Sequence, residues 1–169
     1  LAAHGQNTVA LKVISAGTND QSALRRRFAR EIENLKKMQS PFIAGVLDSK
    51  TDKDSSWLAV SYVSGLTVLQ EVNENGPLDN SGVWELAICG LIALSQVHQM
   101  GVVHRDIKPA NILLSETGPK LIDFGISEAT DDTSLTTTGL VAGSPAWLAP
   151  EQLDVGDVTG AADVFSLTS

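Results

Sequence analysis

The chain has 169 residues, enough for one domain with a sizeable core. Hydrophobic residues make up 43% and charged residues 19%, which excludes a disordered, low-hydrophobicity segment. The net charge of −8 at pH 7 lacks the basic footprint of a generic nucleic-acid or membrane-surface binder.

Thr8 to Ile14 alternates around Lys12 and is rich in β-branched residues, so it reads as a strand. Ala10, Lys12 and Ile14 share one face of it. A polar break from Gly17 to Gln21 leads into a helix from about Ser22 to Met38, which ends before Pro41. Leu24, Phe28, Ile32, Leu35 and Met38 form its apolar stripe, and Glu31 falls near the middle of that stripe. A carboxylate facing a core is costly unless paired, and Lys12 is a candidate partner. Phe42 to Leu47 and Ser56 to Val63 read as two further strands around a polar hairpin from Asp48 to Asp54.

Ser64-Gly65 is a natural hinge. Beyond it, Leu66 to about Asn73 reads as a short helix closed by Gly76-Pro77. Asn80 or Ser81 caps a long helix that reaches about Met100 and closes at Gly101. Val83, Ala87, Leu91, Leu94 and Val97 recur at helical spacing and predict its buried face. Cys89, the only cysteine, lies in an apolar run on this helix and reads as a small buried hydrophobe. No intrachain disulfide is possible, which fits a reducing compartment.

Val102-Val103, Ile112 to Leu114 and Lys120 to Ile122 read as short strands. A Thr/Ser-rich stretch follows from Ser127 to Ser144, and Asp157 to Ser169 starts another helix. A strand-rich first part and a helix-rich second part predict an α+β chain in two lobes. No signal peptide is visible, and no apolar run is long enough to span a bilayer. The chain lacks an initiating Met and stops without a terminating signal, so it reads as a piece of a longer protein. The expected location is cytoplasmic, with any membrane anchor outside this segment.

The chemistry concentrates in His104-Arg105-Asp106-Ile107-Lys108-Pro109-Ala110-Asn111. An acid, a lysine and an amide stand at fixed spacing in a short loop between apolar segments, stiffened by Pro109. Seventeen residues beyond Asp106 comes Asp123-Phe124-Gly125. Together these groups suit phosphoryl transfer: they can orient a hydroxyl, neutralise a transferring phosphate and hold magnesium.

These motifs resemble the catalytic and metal-binding loops of eukaryotic-like (Hanks-type) serine/threonine protein kinases, in a bacterial, actinobacterial-like style. VALKVI and FAREIENL resemble that family's third strand and the helix behind it, and Gly143 to Glu151 resembles the end of its activation segment. The resemblance implies a two-lobed kinase fold truncated at both ends, with residues 1–63 a remnant of the N-terminal lobe and 64–169 the first part of the helical lobe. No glycine-rich loop precedes Lys12.

The resemblance also implies roles. Asp106 accepts or orients the substrate hydroxyl proton, Lys108 neutralises the transferred phosphate, Lys12 holds the α- and β-phosphates, and Glu31 fixes Lys12. Asn111 and Asp123 bind magnesium. Ala10, Val60, Ser61, Val63 and Leu113 frame the adenine of ATP, with Tyr62 in the hinge. His104 and Phe124 pack on each other, Gly125 completes the metal loop, Glu151 closes the activation segment, and Asp163 braces the catalytic loop. Arg105 is placed to pair with a phosphothreonine, Thr136 and Thr138 being the favoured sites.

The expected activity is transfer of the γ-phosphoryl of Mg-ATP to protein Ser/Thr hydroxyls, with self-phosphorylation. No nucleic-acid partner is expected. A phosphate-silent scaffold and a small-molecule kinase are the alternatives. The complete set of catalytic residues argues against the first, and the Ala149-Pro150-Glu151 segment against the second. With the glycine-rich loop and part of the helical lobe absent, the 169-residue chain alone is expected to be marginally stable and catalytically weak.

Overall fold

The computed structural model describes residues 2–4, 7–14, 22–51, 56–124, 145–153 and 158–169. The first part is a four-stranded antiparallel sheet in the order β1-β2-β4-β3, with β1 Ala2–His4, β2 Asn7–Ile14, β3 Val46–Lys50 and β4 Ser56–Ser61. Lys12 lies opposite Leu58 and Ala10 opposite Val60. Helix α1 (Ser22–Lys36) follows β2 and buries Ile32 and Leu35.

Two expectations change here. The helix stops at Lys36, two residues before Met38. The third strand begins at Val46 rather than Phe42 and runs through Asp48 to Lys50, with a bulge between Val46 and Asp48. The reason is that residues 42–44 have a different partner. Ala44 N donates to Leu121 O at 2.9 Å and Leu121 N to Phe42 O at 2.8 Å, so this stretch stitches the first part to the second.

The second part opens with β5 (Leu66–Thr67), which pairs with β6 (Ile112–Ser115), itself paired with β7 (Gly118–Leu121). The short helix therefore starts two residues later than expected. It is α2 (Val68–Asn75), opened by a Thr67/Gln70 capping box and closed at Gly76, whose φ is 89°. Helix α3 (Asn80–Gln99) is capped by Asp79, whose Oδ1 accepts from Gly82 N at 2.7 Å, so Asn80 and Ser81 lie inside it.

Its buried face is Gly90, Ala93, Leu94 and Val97, while Val83 and Leu91 are exposed. The face is set by close approach rather than by side-chain bulk. A Cβ at Gly90 would meet both Leu167 methyls at 3.0 Å, on the last helix, α4 (Gly160–Thr168). Val102-Val103 is not a strand, because the residues after it bond to a side chain instead of a sheet partner. One core cluster runs from Ile32, Leu35 and Leu58 through Ile43 and Leu121 to Leu94, Val97 and Phe124.

Candidate active site

Residues 102–108 leave α3 as an irregular loop, and a single turn of 3-10 helix (Pro109–Asn111) returns the chain to β6. Asp163 near the start of α4 holds this loop. It is 1% exposed, and its Oδ2 and Oδ1 accept from His104 N and Arg105 N, each at 2.8 Å. Those bonds secure Arg105 at φ 65°, a left-handed conformation that costs a non-glycine residue energy unless its surroundings enforce it. A third donor to Asp163 comes from His98 Nε2 at 2.7 Å.

His104 is fully buried and packs on Phe124, with ring centroids 4.7 Å apart. Its Nε2 donates to Ile122 O at 3.2 Å, while Nδ1 accepts from Asp106 N at 3.4 Å. That pattern requires the neutral ring. Burial pushes the imidazole below its ordinary 6.5, opposed by the Asp163 carboxylate, the Ile122 carbonyl, Asp106 and Asp123. One neutral histidine thus backs both acidic loops.

Asp106 is fixed from two sides. Lys108 Nζ lies 2.7 Å from Oδ1, and Asn111 Nδ2 lies 2.7 Å from Oδ2 and 2.9 Å from the Asp106 carbonyl. Asn111 is buried, and its carbonyl accepts from Ile122 N at 3.0 Å, which joins the loop to the strand leading into Asp123. Asp123, at φ 54°, faces Lys12: Nζ to Oδ1 is 3.4 Å. Glu31 is half-buried on α1 beside Ile32.

Ala10 and Val60 pair across β2 and β4, and Leu113 is half-buried on β6. Ser61 and Val63 also line an open cleft of about 860 Å³ with residues 38–41, 43–47 and 115–117, and neither Lys12 nor Asp106 is part of its lining. Gly125, Thr136 and Thr138 lie outside the described residues. Glu151 is half-buried in a 3-10 turn, Pro150–Gln152.

Sequence reasoning missed two residues. Gln152 Nε2 donates to Arg105 O at 2.8 Å while its Oε1 accepts from Ala149 N at 3.0 Å, which ties the end of the activation-like segment to the catalytic loop. His98 is the second. Both contacts span long separations, which no local spacing encodes.

The family model described as protein kinase domain matches residues 1–169. The chain is 41% identical over 95% of its length to the serine/threonine-protein kinase AfsK of Streptomyces coelicolor, and 38% identical over 96% to the probable serine/threonine-protein kinase PkwA of Thermomonospora curvata. It covers 20% and 22% of those two proteins. Among solved structures, the PknI kinase domain of Mycobacterium tuberculosis superposes with a TM-score of 0.73 at 32% identity, over 94% of this chain and 60% of that one. The fold, the Asp106–Asn111 and Lys12–Asp123 geometry and the family match coincide, and the chain belongs to the protein kinase domain family.

Proposed function

We propose that the protein carrying this chain is an ATP-dependent serine/threonine protein kinase. The observation that carries the reading is the Asp106 carboxylate, held between Lys108 and Asn111 and set beside the Lys12–Asp123 pair. The γ-phosphoryl of ATP passes in line to a Ser or Thr hydroxyl; the bond to the β-phosphate oxygen breaks and a bond to the hydroxyl oxygen forms. Asp106 orients that hydroxyl and takes its proton. Lys108 offsets charge on the phosphoryl group, and Lys12, with Glu31 behind it, binds the α- and β-phosphates. Most of the catalysis is positioning and electrostatics.

The donor set fits a hard cation. Asp123 supplies a half-exposed carboxylate, and Asn111, whose Nδ2 is committed to Asp106, supplies an amide oxygen. Asp123 and Asn111 would hold magnesium there, which would supply positive charge against the phosphates. Ala10, Val60, Ser61, Val63 and Leu113 frame the adenine. Residues 1–63 belong to the N-terminal lobe and 64–169 to the C-terminal lobe.

Arg105 serves regulation. Its Nε is buried without a hydrogen-bond partner among the described residues, which supports capture of an anion such as a phosphothreonine at position 136 or 138. Partners are then protein substrates and further copies of the kinase itself. A cytoplasmic kinase domain is part of this proposal, and among the described residues no helix is long and apolar enough to cross a membrane.

Incubation with γ-labelled ATP and peptide mapping test this. The expected result is label on Ser or Thr, including Thr136 or Thr138. Label confined to Tyr, or none in a complete domain, overturns the reading.

A further inference from the structure

One peptide unit leads from Arg105 into Asp106, and its orientation sets where the Asp106 side chain starts. Arg105 stands at φ 65°, and the peptide before it is held through Arg105 N. The peptide after it has two polar ends of its own. Its N–H, on Asp106, donates to His104 Nδ1 at 3.4 Å, beyond the roughly 2.7–3.2 Å of an ordinary bond. Its carbonyl, Arg105 O, accepts from Gln152 Nε2 at 2.8 Å. The shorter hold on this peptide is therefore the one that Gln152 makes.

The bonding at Gln152 requires an amide. Gln152 closes the 3-10 turn Pro150–Gln152, and its backbone N donates to Ala149 O at 2.9 Å. Its side chain folds back over the same turn, where Oε1 accepts from Ala149 N at 3.0 Å. Ala149 is fully buried, so packing fixes the place from which the side chain reaches out. A backbone N–H can only donate and a carbonyl can only accept, so the two ends of the amide cannot exchange. Glutamate would keep the bond to Ala149 N and set an oxygen against Arg105 O. Methionine would make neither bond.

We infer that Gln152 is a positioning residue for phosphoryl transfer. It carries the placement of the 149–152 turn to the 105–106 peptide, and so to the aim of Asp106. It acts through the backbone and not on the reacting atoms. The inference rests on the kinase reading above.

The test uses this segment carried in a complete kinase domain, with kcat, KM for ATP and amide hydrogen exchange as readouts. In Gln152→Glu, kcat falls by about 10- to 100-fold, the scale expected of a slightly misaimed catalytic group. KM for ATP stays within about twofold. The Asp106 amide exchanges faster, while the Ala149 amide keeps its protection. In Gln152→Met both amides exchange faster and kcat falls at least as far. The core amides of Leu94 and Val97 are unmoved in either variant. An unchanged kcat or an equally protected Asp106 amide in Gln152→Glu overturns the assignment. So does a loss of kcat that comes with faster exchange at Leu94 and Val97, which is general loosening. A Met variant with full kcat traces the Glu effect to charge and overturns it as well. If the unsubstituted domain transfers no phosphate, the kinase reading fails, and exchange at Asp106 still decides whether Gln152 holds the peptide.

Discussion

His104 shows how much a single residue carries. It packs on Phe124, donates to Ile122 O and accepts from Asp106 N, and the last of these needs a neutral ring. The fold resists its protonation, so below the ordinary value of 6.5 the unfolded chain binds the extra proton. Stability contributed by His104 is therefore full above that value and is lost as pH falls below it, by at most about 1.4 kcal/mol per pH unit. Urea unfolding between about pH 7.5 and about pH 5.5 checks this: His104→Phe should flatten the slope, and an unaltered slope contradicts the claim. At this scale the sequence was highly legible. Residue type and spacing singled out HRDIKPAN and Asp123-Phe124, and the fold sets Asp106 against Lys108 and Asn111, Lys12 against Asp123, and Asp163 against the backbone of His104 and Arg105. His98 and Gln152 were not legible, because each acts on a residue far away in the chain through a contact only the fold creates.

Elements were legible in kind and less so in their bounds. The strand carrying Lys12, the helix carrying Glu31 and the long α3 all form as their periodicity predicts. The errors have physical causes. Residues 42–44 are apolar enough for a strand but bond to β7, and α3 hides Gly90 and Ala93 where a larger-residue stripe was expected. Glycines mark where backbone geometry is tightest. Gly65 sits at φ 144°, and a Cβ there would fall 2.0 Å from Leu114 O, whereas Gly76 at φ 89° faces open space. In a complete domain, Gly65→Ala should cost about 3 kcal/mol or more, and Gly76→Ala about 1 kcal/mol. Denaturant midpoints measure both, and equal costs would contradict the close approach at the hinge.

At the scale of the whole molecule, the core is continuous across the two parts, but one face is not covered. Val83, Trp84, Ile88, Leu91 and Ile92 on α3, with Val164 and Phe165 on α4, are all exposed. An apolar band of that kind on a soluble protein marks an interface or a liability. The chain spans about three fifths of the solved PknI kinase domain it superposes on. The isolated 169-residue chain should therefore bind a hydrophobic dye and unfold with low cooperativity, and a complete domain should do neither. Sharp unfolding of the isolated chain without dye binding would contradict this.

The central claim is that Asp106 acts on the substrate hydroxyl. ATP-dependent phosphorylation by a complete domain and by its Asp106→Asn variant, compared at matched fold and ATP affinity, tests it most directly. The expected result is a loss in kcat of about 10²- to 10⁴-fold with ATP binding retained. Equal turnover by the two proteins would contradict it.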